Sequence, residues 1–249
     1  MKRDPISERL TGGVKATAGL SWAIAREAGA SILTYELYPL GIIGPLPRVP
    51  SLKRSDGRKR VPILFIHGIL HNRATFAWIV QNLALKGWRE FREMNLMTTF
   101  HSIPRMAEQV GEAVDSLRRR CNVPQVDVIA HSLGGIIARY YVQLQGGDGP
   151  VRNLITLGTP HGGTELSRLS ILPNVRDLNP ESPIIRRLNA GPPPRHTQGL
   201  AISGALDIVV RPRSHAWWKG VRNVELKRVG HAGLLFSGRV AKLIESRLN

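Results

Sequence analysis

Residues 129–135 read Ile-Ala-His-Ser-Leu-Gly-Gly, and this short stretch decides the fold. It continues a mainly apolar run that begins at Val126, and it leads at once into a helical pattern from Leu133 to Gln145. Ser132 is therefore predicted at the tip of a strand-to-helix turn, with its hydroxyl beyond the carboxyl end of the strand. Ala130 and Gly134 are small, as so tight a turn requires, because larger side chains would collide there.

Strand and helix patterns alternate on both sides of this turn. Short apolar runs predict buried strands at 62–66, 126–130 and 151–157, with weaker candidates at 90–96, 201–205 and 224–229. Helical patterns cover residues 74–85, 104–120, 133–145 and 234–248. This alternation predicts an α/β protein with a mostly parallel central sheet and helices on both faces.

The first sixty residues have a different character. Apolar residues recur at helical spacing between 8 and 38, predicting one or two helices, and Pro39 and Gly41 begin a breaker-rich stretch. A basic run follows at 53–60. We therefore divide the chain into an N-terminal helical segment and basic linker, 1–60, and a main domain, 61–249.

Two interpretations of the N-terminal helices stay open at this stage. Charged residues such as Lys15 and Arg26 interrupt any apolar stretch long enough to span a bilayer. The helices could lie on a membrane surface, since Trp22 and Tyr35 suit the interface and the basic run suits anionic lipid. They could equally pack on the main domain or form a dimer contact, so the oligomeric state stays open.

Charge and cysteine content restrict the partners. The 249 residues carry a formal net charge of +17, which favours anionic partners. No helix-turn-helix, zinc-finger spacing or aromatic RNA-binding pattern accompanies the charge, which argues against nucleic acid. The remaining explanations are a generally basic, solvated surface and contact with an anionic membrane. With Cys121 the only cysteine, no intramolecular disulfide or cysteine metal cage can form, and nothing calls for a metal or an organic cofactor.

The N-terminus does not have the pattern of an export signal. It begins Met-Lys-Arg, but Asp4, Glu8 and Lys15 prevent a compact apolar stretch from following. We expect no signal peptide and a cytoplasmic location, at the inner surface of the membrane if the N-terminal helices bind lipid.

The turn around Ser132 resembles that of α/β-hydrolase lipases, in particular the small bacterial lipases and esterases that carry Ala-His-Ser-x-Gly. The resemblance covers about residues 61–249 and implies the α/β-hydrolase fold with Ser132 as nucleophile. It also implies that His67-Gly68-Ile69-Leu70, after the first strand, forms the oxyanion loop. By this motif the backbone N–H groups of Ile69 and Leu133 would form the oxyanion hole, and His67 would hold the loop. A third string, 157–164, resembles the loop that follows the next strand in these enzymes.

In this fold the acid and the histidine follow the serine in that order. Asp207 follows a strand, whereas Asp148 and Asp177 do not, so Asp207 is the predicted acid. His231 lies after the last strand and before the final helix, and it is preferred to His196 and His215.

The resemblance implies a serine-dependent carboxylic ester hydrolase that acts on acyl esters or lipids through an acyl-enzyme intermediate. The same family also contains thioesterases and acyltransferases, and a non-catalytic interaction protein on this scaffold is the remaining alternative. Residues from about 164 to 200 are predicted to form a small cap over the acyl pocket. Ile171, Leu172, Ile184 and Ile185 could line that pocket or form the cap's own core.

Overall fold

A computed structural model describes residues 5–44 and 60–249, with side chains from Gly19 onward. Its centre is a parallel six-stranded sheet in the order β2-β1-β3-β4-β5-β6. The strands are β1 (Ile63–Ile66), β2 (Phe91–Glu93), β3 (Val126–His131), β4 (Val151–Leu157), β5 (Gln198–Gly204) and β6 (Arg222–Leu226). The predicted α/β architecture is confirmed.

The helices are listed in chain order: α1 (Pro5–Glu36), α2 (Tyr38–Ile43), α3 (Ala77–Leu85), α4 (Ile103–Cys121), α5 (Leu133–Leu144), α6 (Pro173–Arg176), α7 (Pro183–Ala190) and α8 (Gly238–Leu248). Short 3₁₀ helices occupy Arg73–Phe76, Glu165–Leu169, Arg213–Ala216 and Ala232–Phe236. The predicted helix at 234–248 is therefore divided, because the chain leaves helical geometry at Ser237 before α8 begins.

Both faces of the sheet are buried, which explains why the central strands are mainly apolar. Leu64 and Ile66 pack in one cluster with α4 and α5, whereas Ile63 and Phe65 pack in a second cluster with α3 and α8. Alternate residues of a strand point to opposite faces, so a strand covered on both sides is apolar at most positions, and the buried Asp127 of β3 is an exception.

Local signals set the helix ends that frame the site. The Ser102 hydroxyl accepts a hydrogen bond from the Arg105 N–H at the start of α4, and Asn122 ends that helix in left-handed conformation. Asn72 does the same for the 3₁₀ helix at Arg73–Phe76, where its side chain accepts from the Ala74 N–H. The helix predicted at 74–85 thus begins as a tighter 3₁₀ turn.

The helices of the N-terminal segment extend past Pro39 and Gly41, where the sequence predicts a breaker-rich stretch. Pro39 and Gly41 lie inside α2, where Pro39 occupies the first turn and loses no intrahelical hydrogen bond. Gly41 packs so closely on Asn72 that a Cβ at position 41 would lie only 2.7 Å from Asn72 Nδ2. Most of the predicted basic run, 53–59, lies outside the described residues. Within the described ranges, no helix is both long and apolar enough to cross a bilayer.

The connection between β4 and β5 carries the 3₁₀ helix at Glu165–Leu169, then α6 and α7. Ile185 and Leu188 of α7 are buried in the same cluster as α4 and α5. Of the residues expected to line a pocket or form a separate small core, Ile185 therefore belongs to the main core, whereas Ile171 is 85% exposed.

Candidate active site

The sheet brings the candidate residues to one edge. Ser132 follows β3, Asp207 follows β5 by three residues, and His231 comes after β6. The loops after β1 and β4 supply Ile69 and Gly158. Because all six strands are parallel, their carboxyl ends lie on the same side, where ligands bind in open α/β sheets.

Ser132 has the strained backbone of a nucleophile elbow. Its φ of 53° and ψ of −124° fall in a region that residues with a side chain rarely adopt. The strain is held from both sides, since the Ser132 N–H donates to Leu157 O at 2.9 Å and the Thr159 hydroxyl donates to Ser132 O at 3.0 Å. The serine therefore stays at the tip of the turn.

Two glycines allow the elbow to approach its neighbours. A Cβ on Gly134 would lie 2.5 Å from the carbonyl oxygen of His67, which is backbone and cannot move aside. A Cβ on Gly68 would lie 3.0 Å from the Ser132 Cβ. The requirement for Gly134 therefore arises from the loop after β1 as well as from the turn itself.

Asp207 and His231 are in direct contact. Asp207 Oδ2 lies 2.7 Å from His231 Nδ1, and Asp207 Oδ1 accepts from the Val209 and Val210 N–H groups at 2.8 and 3.0 Å. The carboxylate itself is buried, which strengthens its hydrogen bonds. With Nδ1–H donating to Asp207, His231 Nε2 is left as the proton acceptor.

The loop after β4 supports both residues. Gly158 has a φ of +57°, and a Cβ there would lie 3.0 Å from His231 Nδ1. Thr164 fixes the acid's loop, since its hydroxyl donates to Val209 O at 2.7 Å and accepts from the Arg211 N–H at 3.1 Å. The loop at 157–164 thus packs against the histidine and fixes the loop that carries the acid.

The loop after β1 is held by His67. Its Nδ1 donates to Gly68 O at 2.8 Å and its Nε2 accepts from the Leu96 N–H at 2.9 Å. Burial lowers the pKa of His67 to about 4, so the ring is neutral and keeps one tautomer. Ile69 follows in this loop, and Leu133 is the first residue of α5, directly after Ser132.

The rival residues serve other purposes. Asp148 accepts hydrogen bonds from the backbone N–H groups of Arg195, His196 and Thr197. His215 Nδ1 lies 3.1 Å from Gly163 O. His161, expected near the site from its place in the chain, is fully buried, with Nε2 2.9 Å from Thr156 Oγ1 and its ring stacked on Trp218.

Two further histidines stand beside the site, and sequence reasoning gave neither of them a role. The ring centres of His131 and His231 lie 4.8 Å apart, and those of His71 and His131 lie 6.1 Å apart. Burial, and then the charge of His231, lowers the pKa of both His71 and His131. Neutral rings beside His231 avoid repulsion when that histidine takes up a proton. His131 could have been found from its place before Ser132, whereas nothing local to His71 signals its position.

Glu27 also reaches this region from α1, where its carboxylate accepts from the Ala232 and Gly233 N–H groups. Sequence reasoning gave Glu27 no role at the site. Among the residues with described side chains, no group of three or more His, Cys, Asp and Glu could hold a metal ion.

The parallel sheet and the serine elbow at its carboxyl edge define a hydrolase-type α/β architecture. A family model described as palmitoyl protein thioesterase matches residues 62–185, which include the elbow and the loops after β1 and β4. The chain has the α/β-hydrolase fold, as its sequence motifs predicted.

Solved structures of similar fold are lipases and esterases. The mature lipase BlEst2 of Bacillus licheniformis has a TM-score of 0.65 at 14% identity, covering 80% of this chain and 95% of its own. Lipase B of Aspergillus fumigatus has a TM-score of 0.66 at 17% identity, covering 79% of this chain and 54% of its own. An esterase of Thermogutta terrifontis has a TM-score of 0.56 at 14% identity, covering 76% and 89%. At these identities the likeness establishes the fold.

Proposed function

We propose that this protein is a serine-dependent carboxylic ester hydrolase that acts on acyl esters through an acyl-enzyme intermediate. The observation that carries the proposal is the 2.7 Å contact between Asp207 Oδ2 and His231 Nδ1, at the same sheet edge as a serine in elbow conformation. An acid, a histidine and a serine assembled at one sheet edge can activate a hydroxyl for attack on a carbonyl.

In the proposed mechanism, Ser132 Oγ attacks the ester carbonyl carbon while His231 Nε2 takes the hydroxyl proton. The tetrahedral oxyanion is stabilised by the Ile69 and Leu133 N–H groups, and losing one such donor typically costs about 3 kcal/mol. His231 returns the proton to the leaving alkoxide, which departs as an alcohol. A water molecule, deprotonated by His231, then releases the acyl group as a carboxylic acid and restores Ser132.

The surroundings of the site favour an acyl substrate. Leu70, next to Ile69, is 52% exposed, and Ile208, next to Asp207, is 65% exposed. Leu169 and Ile171, in the connection after β4, are 84% and 85% exposed. Large apolar side chains on several loops of one sheet edge are suited to hydrocarbon chains. We assign 164–200 as the cap on the basis of these exposed residues and of their chain position.

The proposal includes peripheral contact with an anionic membrane. Small residues of α1, including Ala23 and Ala30, are buried, whereas Trp22, Ile24 and Ile32 are 58 to 68% exposed. This is the reverse of an ordinary surface helix, whose large apolar residues face the core. Such an apolar surface marks a contact with a partner, and the net charge of +17 favours anionic lipid.

The division into segment 1–60 and catalytic domain 61–249 belongs to the same proposal. It is supported by the position of α1 and α2 outside the two helical layers of the sheet. These helices contact the 3₁₀ helices at Ala232–Phe236 and Arg73–Phe76 instead.

A thioesterase is the second candidate, favoured by the family model that matches residues 62–185. The same residues would perform the reaction, with a thiol as leaving group in place of an alcohol. An acyltransferase would use an acceptor alcohol in place of the second water.

The experiment compares wild type with Ser132→Ala on chromogenic oxygen esters and matched thioesters of increasing chain length. We expect activity to fall by about four to six orders of magnitude in Ser132→Ala with folding intact. Equal activity of the variant would overturn the proposal. The ratio of ester to thioester turnover separates the two candidates, and added alcohol that yields a new ester would indicate acyl transfer.

A further inference from the structure

We propose that Glu27, on the N-terminal helix, is a positioning residue for the catalytic histidine His231, an inference that rests on the proposed function. Its Oε1 accepts from the Ala232 N–H at 2.6 Å and its Oε2 accepts from the Gly233 N–H at 2.8 Å. These two amides directly follow His231 and open the 3₁₀ helix Ala232–Phe236. The Glu27 carboxylate, 205 positions before Ala232 in the chain, thus holds the backbone that directly follows His231.

The contact between the Glu27 carboxylate and the two N–H groups is a strong one. The first N–H groups of a helical turn have no partner within the turn, and their dipoles favour a negative charge. A carboxylate that accepts from two of them makes two charge-assisted hydrogen bonds of fixed direction. Asp207 holds the His231 ring from its other end, through Nδ1. Ring and backbone are therefore fixed by different carboxylates.

The two glycines around His231 make room for this contact. A Cβ on Gly230 would lie 2.5 Å from Glu27 Oε2, and a Cβ on Gly233 would lie 2.7 Å from the same atom. Neither glycine has a positive φ, so their backbone conformation does not require glycine. The pattern Gly-His-Ala-Gly is thus explained by the approach of Glu27.

Further contacts of α1 bring Glu27 to this position. Ala23, Ala30 and Thr34 are buried on the same helix face, at intervals of three to seven residues from Glu27. About two helical turns before Glu27, α1 also approaches the domain at Gly19, where a Cβ would lie 3.1 Å from the guanidinium carbon of Arg228. Small residues let the helix axis come close to the loop that carries His231.

The test measures kcat and KM on a soluble short-chain ester for wild type, Glu27→Ala, Glu27→Gln and the control Arg26→Gln. Arg26 is an exposed neighbour on the same helix. For Glu27→Ala we expect kcat to fall about 10- to 100-fold with KM changed less than about twofold, since small displacements of a catalytic group cost rate. The rate at which a fluorophosphonate labels Ser132 should fall in parallel. Glu27→Gln keeps the shape and one acceptor oxygen, so it should recover part of kcat.

The outcomes separate this inference from the proposed function. If Ser132→Ala loses activity but folded Glu27→Ala keeps wild-type kcat and labelling rate, Glu27 has a structural role only and the inference fails. If Ser132→Ala is as active as wild type, the proposed function itself fails. Should Glu27→Ala not fold, Glu27→Gln decides, because wild-type kcat and labelling rate in that isosteric variant would overturn the inference.

Discussion

Asp207 Oδ2 lies 2.7 Å from His231 Nδ1 although the two residues are 24 positions apart in the chain, with all of β6 between them. The parallel pairing of β5 with β6 creates the proximity, because both loops leave the sheet at the same edge. The carboxylate also accepts two backbone N–H groups, so its orientation toward the imidazole is fixed before any substrate arrives.

Replacing Asp207 by asparagine should leave the fold intact and remove most of the activity. The amide can still accept from Val209 and Val210, but it no longer stabilises a charged imidazole or enforces the Nδ1–H tautomer. By comparison with triads of this kind, kcat should fall about 10³- to 10⁴-fold on a soluble ester at pH 7. Asp115→Asn, which changes an acid on α4 outside the site, should retain wild-type kcat. An active Asp207→Asn enzyme would exclude Asp207 as the triad acid.

Adding one methyl group at Gly134 should destabilise the protein. The new Cβ would press against the backbone carbonyl of His67, which neighbouring strands hold in place. We expect the free energy of unfolding in urea to fall by about 2 kcal/mol or more. The matched control is Gly238→Ala at the start of α8, where a Cβ meets nothing within 4 Å. That variant should gain about 0.5 kcal/mol, since alanine restricts the unfolded chain. Equal stabilities would show that the elbow is less tightly packed than the structure indicates.

Acidification should destabilise the fold through buried neutral histidines. The pKa of His67 is lowered from 6.5 to about 4 by burial, so between these pH values the unfolded chain binds a proton that the folded chain does not. The contribution of His67 to the free energy of unfolding is therefore fully present above pH 6.5. It decreases by about 3 kcal/mol as the pH drops toward 4. Burial lowers the pKa of His131 and His161 in the same direction.

Urea unfolding at pH 7.0, 5.5 and 4.5 measures this dependence. His67→Asn should make the pH dependence shallower, at the cost of lower stability at pH 7. The exposed His196 provides the control, because His196→Asn should leave the slope unchanged. A slope that is the same in His67→Asn and wild type would contradict the prediction.

Removing large apolar side chains from the outer face of α1 should weaken binding to anionic vesicles. The double variant Trp22→Ser with Ile24→Ser should co-sediment less with vesicles containing anionic lipid, while kcat on a soluble ester is retained. Leu85→Ser on α3, 38% exposed, is the control and should bind as wild type does. Binding should decline with added salt if the +17 charge contributes. A concentration-dependent dimer that the double variant disrupts, without vesicle binding, would instead assign this face to a second copy of the chain.

The local sequence was sufficient to predict the sheet and the elbow. Buried parallel strands are rich in apolar residues, so 62–66, 126–130 and 151–157 could be recognised without any partner. The elbow requires small residues two positions either side of Ser132, which is also a local pattern. Chain order after the serine then singled out Asp207 and His231, whose direct contact the structure shows.

Contacts between distant segments could not be predicted in this way. Ile185 has the composition of a pocket residue or of a small separate core, and only the packing of α7 on α5 makes it part of the main core. The same holds for His71, whose ring centre lies 6.1 Å from that of His131 although the two residues are far apart in the chain. Apolar character in the sequence does not specify which surface covers a residue.

The sequence by itself determined the parallel sheet, the serine turn and the order of the candidate residues, because each depends on neighbours within a few positions. The tertiary structure alone decided which face of α1 meets the domain. Apolar residues recur at helical spacing in that helix, but its large apolar residues are not the ones that the domain buries, so the pattern did not identify the buried face. The helix packs closely on the domain through the face that carries the small residues Ala23 and Ala30, so Trp22 is exposed. The same packing places the Glu27 carboxylate against the backbone N–H groups that follow His231.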